Sequence, residues 1–214
     1  MFFILFVLGI KFVYSQKYLD SLTIKIGKAK NDSVKINICY QYALSDSKLT
    51  PKQSDSVFNL IFDFGKKSKN KNYLAYSIIK QGHFLDQKNL LDSAIIMYFD
   101  GLNRSEKLNY LPGIIFTLNR LGNINLKLDK YKVAKEYFFN CLFYLQNANN
   151  DNERADCYSN LGTVYKELNM VDSSLYFHFK ALDYRLRNKN QSYIATSYNN
   201  IGLTYKKKKD YDKA

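Results

Sequence analysis

The sequence predicts an all-α fold built from helix pairs that repeat every 40 residues, and three observations predict it. Gly82, Gly122, Gly162 and Gly202 are spaced 40 residues apart, each closing a similar phrase such as Tyr158-Ser159-Asn160-Leu161-Gly162. Twelve residues after each glycine stands a second small residue (Ala94, Ala134, Ser174, Ala214), and four further on a ring, in Tyr98, Phe138 and His178. Apolar residues between these markers recur at helical spacing. Tyr158, Leu161, Gly162 and Tyr165 share one helix face, and Leu175, Phe179 and Leu182 share another. A glycine inside a helix costs about 1 kcal/mol relative to alanine, so its return in every unit marks a close approach of two helices. A fixed period of this size signals stacked repeats, none of which can bury its apolar face alone.

Taken in order, Met1 to Ser15 is expected to be a secretory signal peptide. Phe2 to Ile10 is an unbroken apolar run, and Val13-Tyr14-Ser15 before Gln16 offers a small-residue cleavage site. The run is shorter than the roughly 20 residues of a membrane-spanning helix. Residues 16–73 are expected to hold an N-terminal helix and a degenerate first repeat. Tyr18, Leu19, Leu22 and Ile26 mark a short helix ending near Gly27. Asp32 or Ser33 would cap a second helix carrying Val34, Ile38 and Tyr42, and after Pro51 its partner carries Val57, Phe58, Ile61 and Phe62. In the repeat register Tyr42 takes the glycine position, Ser54 the small one and Phe58 the ring. Residues 74–214 hold the regular units, starting near 75, 115, 155 and 195. Pro112 suits a first helical position, and Asp151 or Asn152 is the expected cap before Ala155. The last unit breaks off in Tyr211-Asp212-Lys213-Ala214, which matches the opening of a second helix at Tyr131-Lys132-Val133-Ala134. A continuation beyond Ala214 is therefore expected.

These residues resemble the tetratricopeptide repeat. Tyr158-x2-Leu161-Gly162-x2-Tyr165 followed by Ser174-x3-His178-x2-Ala181 is similar to its W-x2-L-G-x2-Y…A-x3-F pattern, and Tyr198-x2-Ile201-Gly202-x2-Tyr205 repeats the opening. The resemblance covers about residues 35 to 214, with a period longer than the usual 34 or so. It implies a right-handed α-α superhelical solenoid whose first helices line a concave groove that binds a protein or peptide. Arrays of this length behind a signal also resemble the extracytoplasmic sensor part of membrane-bound histidine kinases or transcriptional regulators. In that alternative an output domain would lie beyond Ala214.

The formal charge is +13, or +12 once Lys11 leaves with the signal. A balance this basic favours anionic partners, yet the cations gather at helix ends and turns, in 65–71, 185–189 and 206–209. There they complement helix dipoles, and no nucleic-acid motif accompanies them. Cys39, Cys141 and Cys157 form no CxxC motif and no zinc-ligand spacing. Cys141 stands where neighbouring units have Gly101 and Ala181, as a small apolar residue would. Because Cys141 and Cys157 fall on adjacent helices, a bridge between them stays open as the alternative to packed thiols.

The chemistry points to a surface rather than to catalysis. His178 holds a ring position and His83 follows Gly82, with no serine, cysteine or carboxylate at a repeated spacing to activate either. Asp86, Asp100, Glu167 and Asp172 are expected at the surface. No cofactor is implied, because the glycines lie inside helices and form no phosphate loop. The groove-facing residues are expected to be Tyr76, Ile79 and His83; Phe116, Asn119 and Asn123; Ser159, Asn160 and Thr163; and Asn199, Asn200 and Leu203. Asparagine can hydrogen-bond an extended backbone as both donor and acceptor. Family members that clamp a C-terminal carboxylate pair such asparagines with lysine and arginine. Here the five corresponding positions are Asn119, Asn123, Asn160, Thr196 and Asn200, all neutral, so that mode is not expected.

Overall fold

The computed structural model describes residues 22–45, 51–146 and 148–208, and all the regular structure among them is helical. The expected signal peptide, Tyr18 and Leu19, and Tyr211 to Ala214 lie outside the described residues. Residues 22–27 are helical and end at Gly27. There follow α1 (Asp32–Ser45), α2 (Pro51–Lys67), α3 (Asn72–Gln87), α4 (Leu91–Lys107), α5 (Leu111–Lys127), α6 (Tyr131–Leu145), α7 (Asp151–Glu167), α8 (Val171–Arg187) and α9 (Gln191–Lys208).

The turns that reverse the chain are built alike. Asn89, Asp129 and Asn169 have φ of 59°, 57° and 59°, and so close the first helix of their units in the left-handed region. The residue after each donates its N–H to the carbonyl five positions back along the turn. Leu90 bonds Leu85 O, Lys130 bonds Asn125 O and Met170 bonds Tyr165 O, each at 2.9 Å. This satisfies carbonyls that the helix end would otherwise leave bare. Asn109 (φ 50°) and Lys189 (φ 54°) perform the same reversal between units. Asparagine and aspartate tolerate this conformation better than other non-glycine residues. The three turn residues keep the 40-residue register, a signal available in the sequence that the glycine and ring positions overshadowed.

The chain divides into two compact units, residues 1–104 and 105–214, with the boundary inside α4. In the first unit α1, α2 and α3 pack on one another around Leu22, Ile36, Cys39, Tyr40, Ala43, Val57, Phe58, Ile61 and Phe84. Phe58 and Phe84 meet at 4.6 Å between centroids. Of the expected stripe of Val34, Ile38 and Tyr42, the last two pack half-buried against this core and Val34 is corrected to an exposed position; the fully buried side chains of α1 are Ile36, Cys39, Tyr40 and Ala43. Phe62 is likewise exposed. The cap is Asn31, whose Oδ1 accepts from Val34 N at 3.0 Å, one residue before the expected Asp32. Asp86 was expected at the surface but is buried, because with Ala75, Ile79 and Gly82 it continues the inward stripe of α3.

In the second unit α5 to α9 pack in sequence, each against the next, and the first helices α5, α7 and α9 also touch their neighbours directly. The glycine column works as expected. A Cβ on Gly122 would lie 2.5 Å from Phe138 Cε1, and one on Gly162 would lie 2.5 Å from His178 Nδ1. Ala134 and Ser174 are fully buried, and Ser174 Oγ donates to Gly162 O at 2.7 Å. Three local expectations change. Asn150, not Asp151 or Asn152, caps α7 by accepting from Glu153 N at 3.2 Å. His178 rather than Phe179 joins Leu175 and Leu182 on the buried face of α8, and Phe179 is exposed. Arg185, grouped above with the basic turn residues, is buried; it donates to Ser197 Oγ at 2.8 Å and pairs with Asp156 at 2.9 Å.

Candidate partner-binding face

Within each compact unit, first helices of successive repeats stand side by side, and residues about one repeat apart meet across them. In the first unit, Tyr76 O–H donates to Asn37 Oδ1 at 2.5 Å. Tyr40 O–H and His83 Nδ1 share a hydrogen bond of 2.5 Å with their rings stacked, and Gln87 Nε2 reaches the other ring nitrogen at 3.3 Å. Lys80 Nζ sits over both tyrosines, 4.5 Å from the Tyr40 centroid and 5.0 Å from that of Tyr76. Tyr76 and His83 are therefore brought together on one face, half-buried. Ile79 is not on that face. It is only 3% exposed, with Cγ1 placed 2.6 Å from where a Cβ on Gly101 would sit.

In the second unit the asparagines bond to one another. Asn119 Oδ1 accepts from Asn123 Nδ2 at 3.0 Å and from Asn160 Nδ2 at 3.3 Å, while Asn119 Nδ2 donates to Glu153 Oε2 at 3.2 Å. One repeat on, Asn200 Nδ2 donates to Ser159 Oγ at 3.3 Å. Thr163 Oγ1 turns back to Ser159 O at 3.2 Å. Phe116 lies under Arg120, 4.9 Å from guanidinium carbon to centroid. Asn119 is buried, whereas Asn123, Asn160, Thr163 and Asn200 are half-buried and Asn199 and Leu203 are exposed.

These bonds sort the expected residues by what each has left to offer. An amide oxygen accepts two hydrogen bonds and its nitrogen donates two. Asn119 has filled its oxygen and is shut from solvent, so it ties α5 to α7 and reads no ligand. Asn123, Asn160 and Asn200 each use one donor and keep their carbonyl oxygens. Burial raises the pKa of Glu153, against the lowering effects of the Asn119 hydrogen bond and of Arg120.

Lys80, Arg120, Asn37, Tyr40 and Glu153 were missed by the sequence argument. Lys80 and Arg120 occupy the register position of Asn160 and Asn200, so the 40-residue spacing could have found them. Among the described residues no cluster of His, Cys, Asp and Glu could hold a metal ion, and no helix is long and apolar enough to cross a membrane.

Comparison with known proteins gives the same picture of the fold. The tetratricopeptide repeat profile matches residues 195–214. No curated protein sequence matches the chain. Among solved structures, BtubC (BKLC) from P. vanneervenii is similar with a TM-score of 0.79 and 18% identity, over 93% of this chain and 86% of that one. A kinesin-light-chain-like protein of Podosopora anserina, with nearly identical TPR-like repeats, is similar with a TM-score of 0.62 and 9% identity over 86% of this chain and 91% of that one. A MamA RS-1 double mutant follows at 0.56 and 17%, over 86% and 89%. With identities this low the likeness rests on architecture: the fold is that of a tetratricopeptide-type helical-repeat scaffold.

Proposed function

We propose that the chain is a non-enzymatic scaffold that binds an extended segment of a partner protein along the first helices of its repeats. The observation that carries this reading is the row of open amide oxygens on α5, α7 and α9. Asn123, Asn160 and Asn200 are each oriented by one bond to the protein and keep acceptor capacity, and Asn199 is exposed beside them. Preoriented amides suit the alternating N–H and C=O groups of an extended backbone. The platform of Phe116 under Arg120 would take a side chain of the bound segment.

The apolar run at residues 2–10 extends the reading to a cell-envelope address, with Ser15 as the last residue removed. Recovery of the chain from the cytosol with residues 1–15 still attached would count against that address.

The binding reading is tested by selecting peptides from a random library on the purified chain. They are then titrated against a variant carrying Asn123→Ala, Asn160→Ala, Asn199→Ala and Asn200→Ala. At least a tenfold loss of affinity is expected, with the helical circular dichroism retained. Equal affinity for the folded variant would refute the assignment of this face.

A further inference from the structure

Cys141 lies in α6 and Cys157 in α7, 16 residues on, and both are fully buried. Cys157 Sγ is 3.0 Å from Cys141 Sγ, and Cys141 Sγ in turn points at Ile115 O at 3.5 Å. The structure holds them as free thiols. The repeat register explains why they meet. The position of Cys141 is filled by Gly101 and Ala181 in neighbouring units, and that of Cys157 by Ser77, Thr117 and Ser197. These are small residues where a second helix faces the first helix of the next unit. Only at this junction does a cysteine occupy both positions.

We propose that Cys141 and Cys157 are a disulfide site that covalently joins α6 to α7 under oxidising conditions. The step is thiol–disulfide exchange with a small disulfide or a disulfide-carrying oxidoreductase. The thiolate of one cysteine attacks the external disulfide and releases one thiol. The second thiolate then attacks the mixed disulfide and releases the other. The two cysteine protons pass to the two released thiolates, and the external disulfide is reduced by two electrons.

Because the sulfurs are already 3.0 Å apart, bond formation needs a shift of about 1 Å along the S···S line. Burial also sets when the reaction occurs. With neither thiol exposed, exchange takes place as the chain folds or when the α6–α7 junction opens. Desolvation agrees with this timing: the Cys157 thiol is held well above its usual pKa by its bond with Cys141 and by burial. Cys39 provides an internal control, equally buried and pushed up to about 11, but on α1. The inference does not depend on the peptide-binding reading.

The test refolds the full chain in a mixture of oxidised and reduced glutathione, blocks free thiols with iodoacetamide under denaturing conditions, and maps tryptic peptides without reduction. Arg154 separates the two cysteines, so a disulfide links peptide 136–154 to peptide 155–166. That linked pair is expected, together with an alkylated Cys39. Reduction should lower Tm by roughly 6–12 °C, from the closure of a loop of this length in a chain of this size. Cys141→Ala and Cys157→Ser place in each position a residue that neighbouring units already use there. Both variants are expected to fold and to lose the dependence of Tm on reductant, while Cys39→Ser keeps it. Alkylation of all three cysteines after oxidative refolding, or a link through Cys39, would overturn the proposal.

Discussion

His178 shows how one column of the repeat sets an acid limit on stability. It fills the position held by Phe138 one unit earlier, seals against Gly162, and leaves its Nδ1 without a hydrogen-bond partner. Burial, with Lys166 and Arg185 nearby, lowers its pKa from 6.5 to about 4. The unfolded chain takes up a proton near pH 6.5 that the folded chain refuses until about 4. The stability is therefore complete above pH 6.5 and is lost as the pH falls toward 4. The size of the effect is roughly 3 kcal/mol across that window. His178→Phe keeps a ring in the column and removes the titration. Its Tm, followed by circular dichroism from pH 4.5 to 8, should be nearly flat where that of the parent falls on acidification. Parallel curves would show that the proton is taken up elsewhere. The same column was legible in the sequence because only a ring fills the space left by a glycine. The column put His178 inward, whereas the spacing that grouped Phe179 with Leu175 and Leu182 was off by one helical step of about 100°.

At the level of helices and turns, the left-handed residues are the point of strain. Asn89, Asn109, Asp129 and Asn169 are side chains that accept this backbone, but Lys189, with φ 54°, is not. An ordinary L-residue there costs about 1–2 kcal/mol. Lys189→Gly should therefore stabilise the chain by about 1 kcal/mol, raising Tm by about 2–4 °C, with Asn169→Gly giving less than half of that. Chemical denaturation of the two variants side by side checks the order, and equal gains would show that the lysine is not strained. The two capped helix starts were read from the sequence to within one or two residues. Asn31 and Asn150 act as caps where Asp32 or Ser33 and Asp151 or Asn152 were expected, since several neighbouring side chains are chemically able to cap and backbone direction selects among them. In α1 Val34 was wrongly placed inward, while Ile38 and Tyr42 do pack on the core, because the small buried members Cys39 and Ala43 carry little hydrophobic signal beside Val34.

At the level of the whole molecule, stability is a sum over units and the junctions between them. Within residues 105–214 those junctions are partly polar. Asn119 fastens α5 to α7 through Glu153 and Asn160, and Arg185 fastens α8 to Asp156 of α7 and Ser197 of α9. Asn119→Ala would leave the partly buried Glu153 carboxylate without its donor. A loss of about 1–2 kcal/mol is expected, seen as a Tm drop of about 3–6 °C, with hydrogen exchange speeding up first in α5 and α7. An unchanged Tm would show that water replaces the amide without cost. This polar fastening was invisible in the sequence, where asparagine at a first-helix position looks the same whether it meets a ligand or the next repeat. The repeat itself was legible because its packing rule is local and recurs.

The register also determines how such a chain can lengthen. Asn160 meets Asn119 and Asn200 meets Ser159 at the same spacing of 41 positions. An in-frame tandem copy of residues 151–190 would set its own Asn160 against the original Ser159, as Asn200 is set now. Its glycine, ring and left-handed turn would fall in the positions they already occupy. Duplication of a 120-base-pair segment is thus a structurally silent event for this architecture. A gene of this kind can gain or lose whole helix pairs in single steps, without passing through an unfolded intermediate protein.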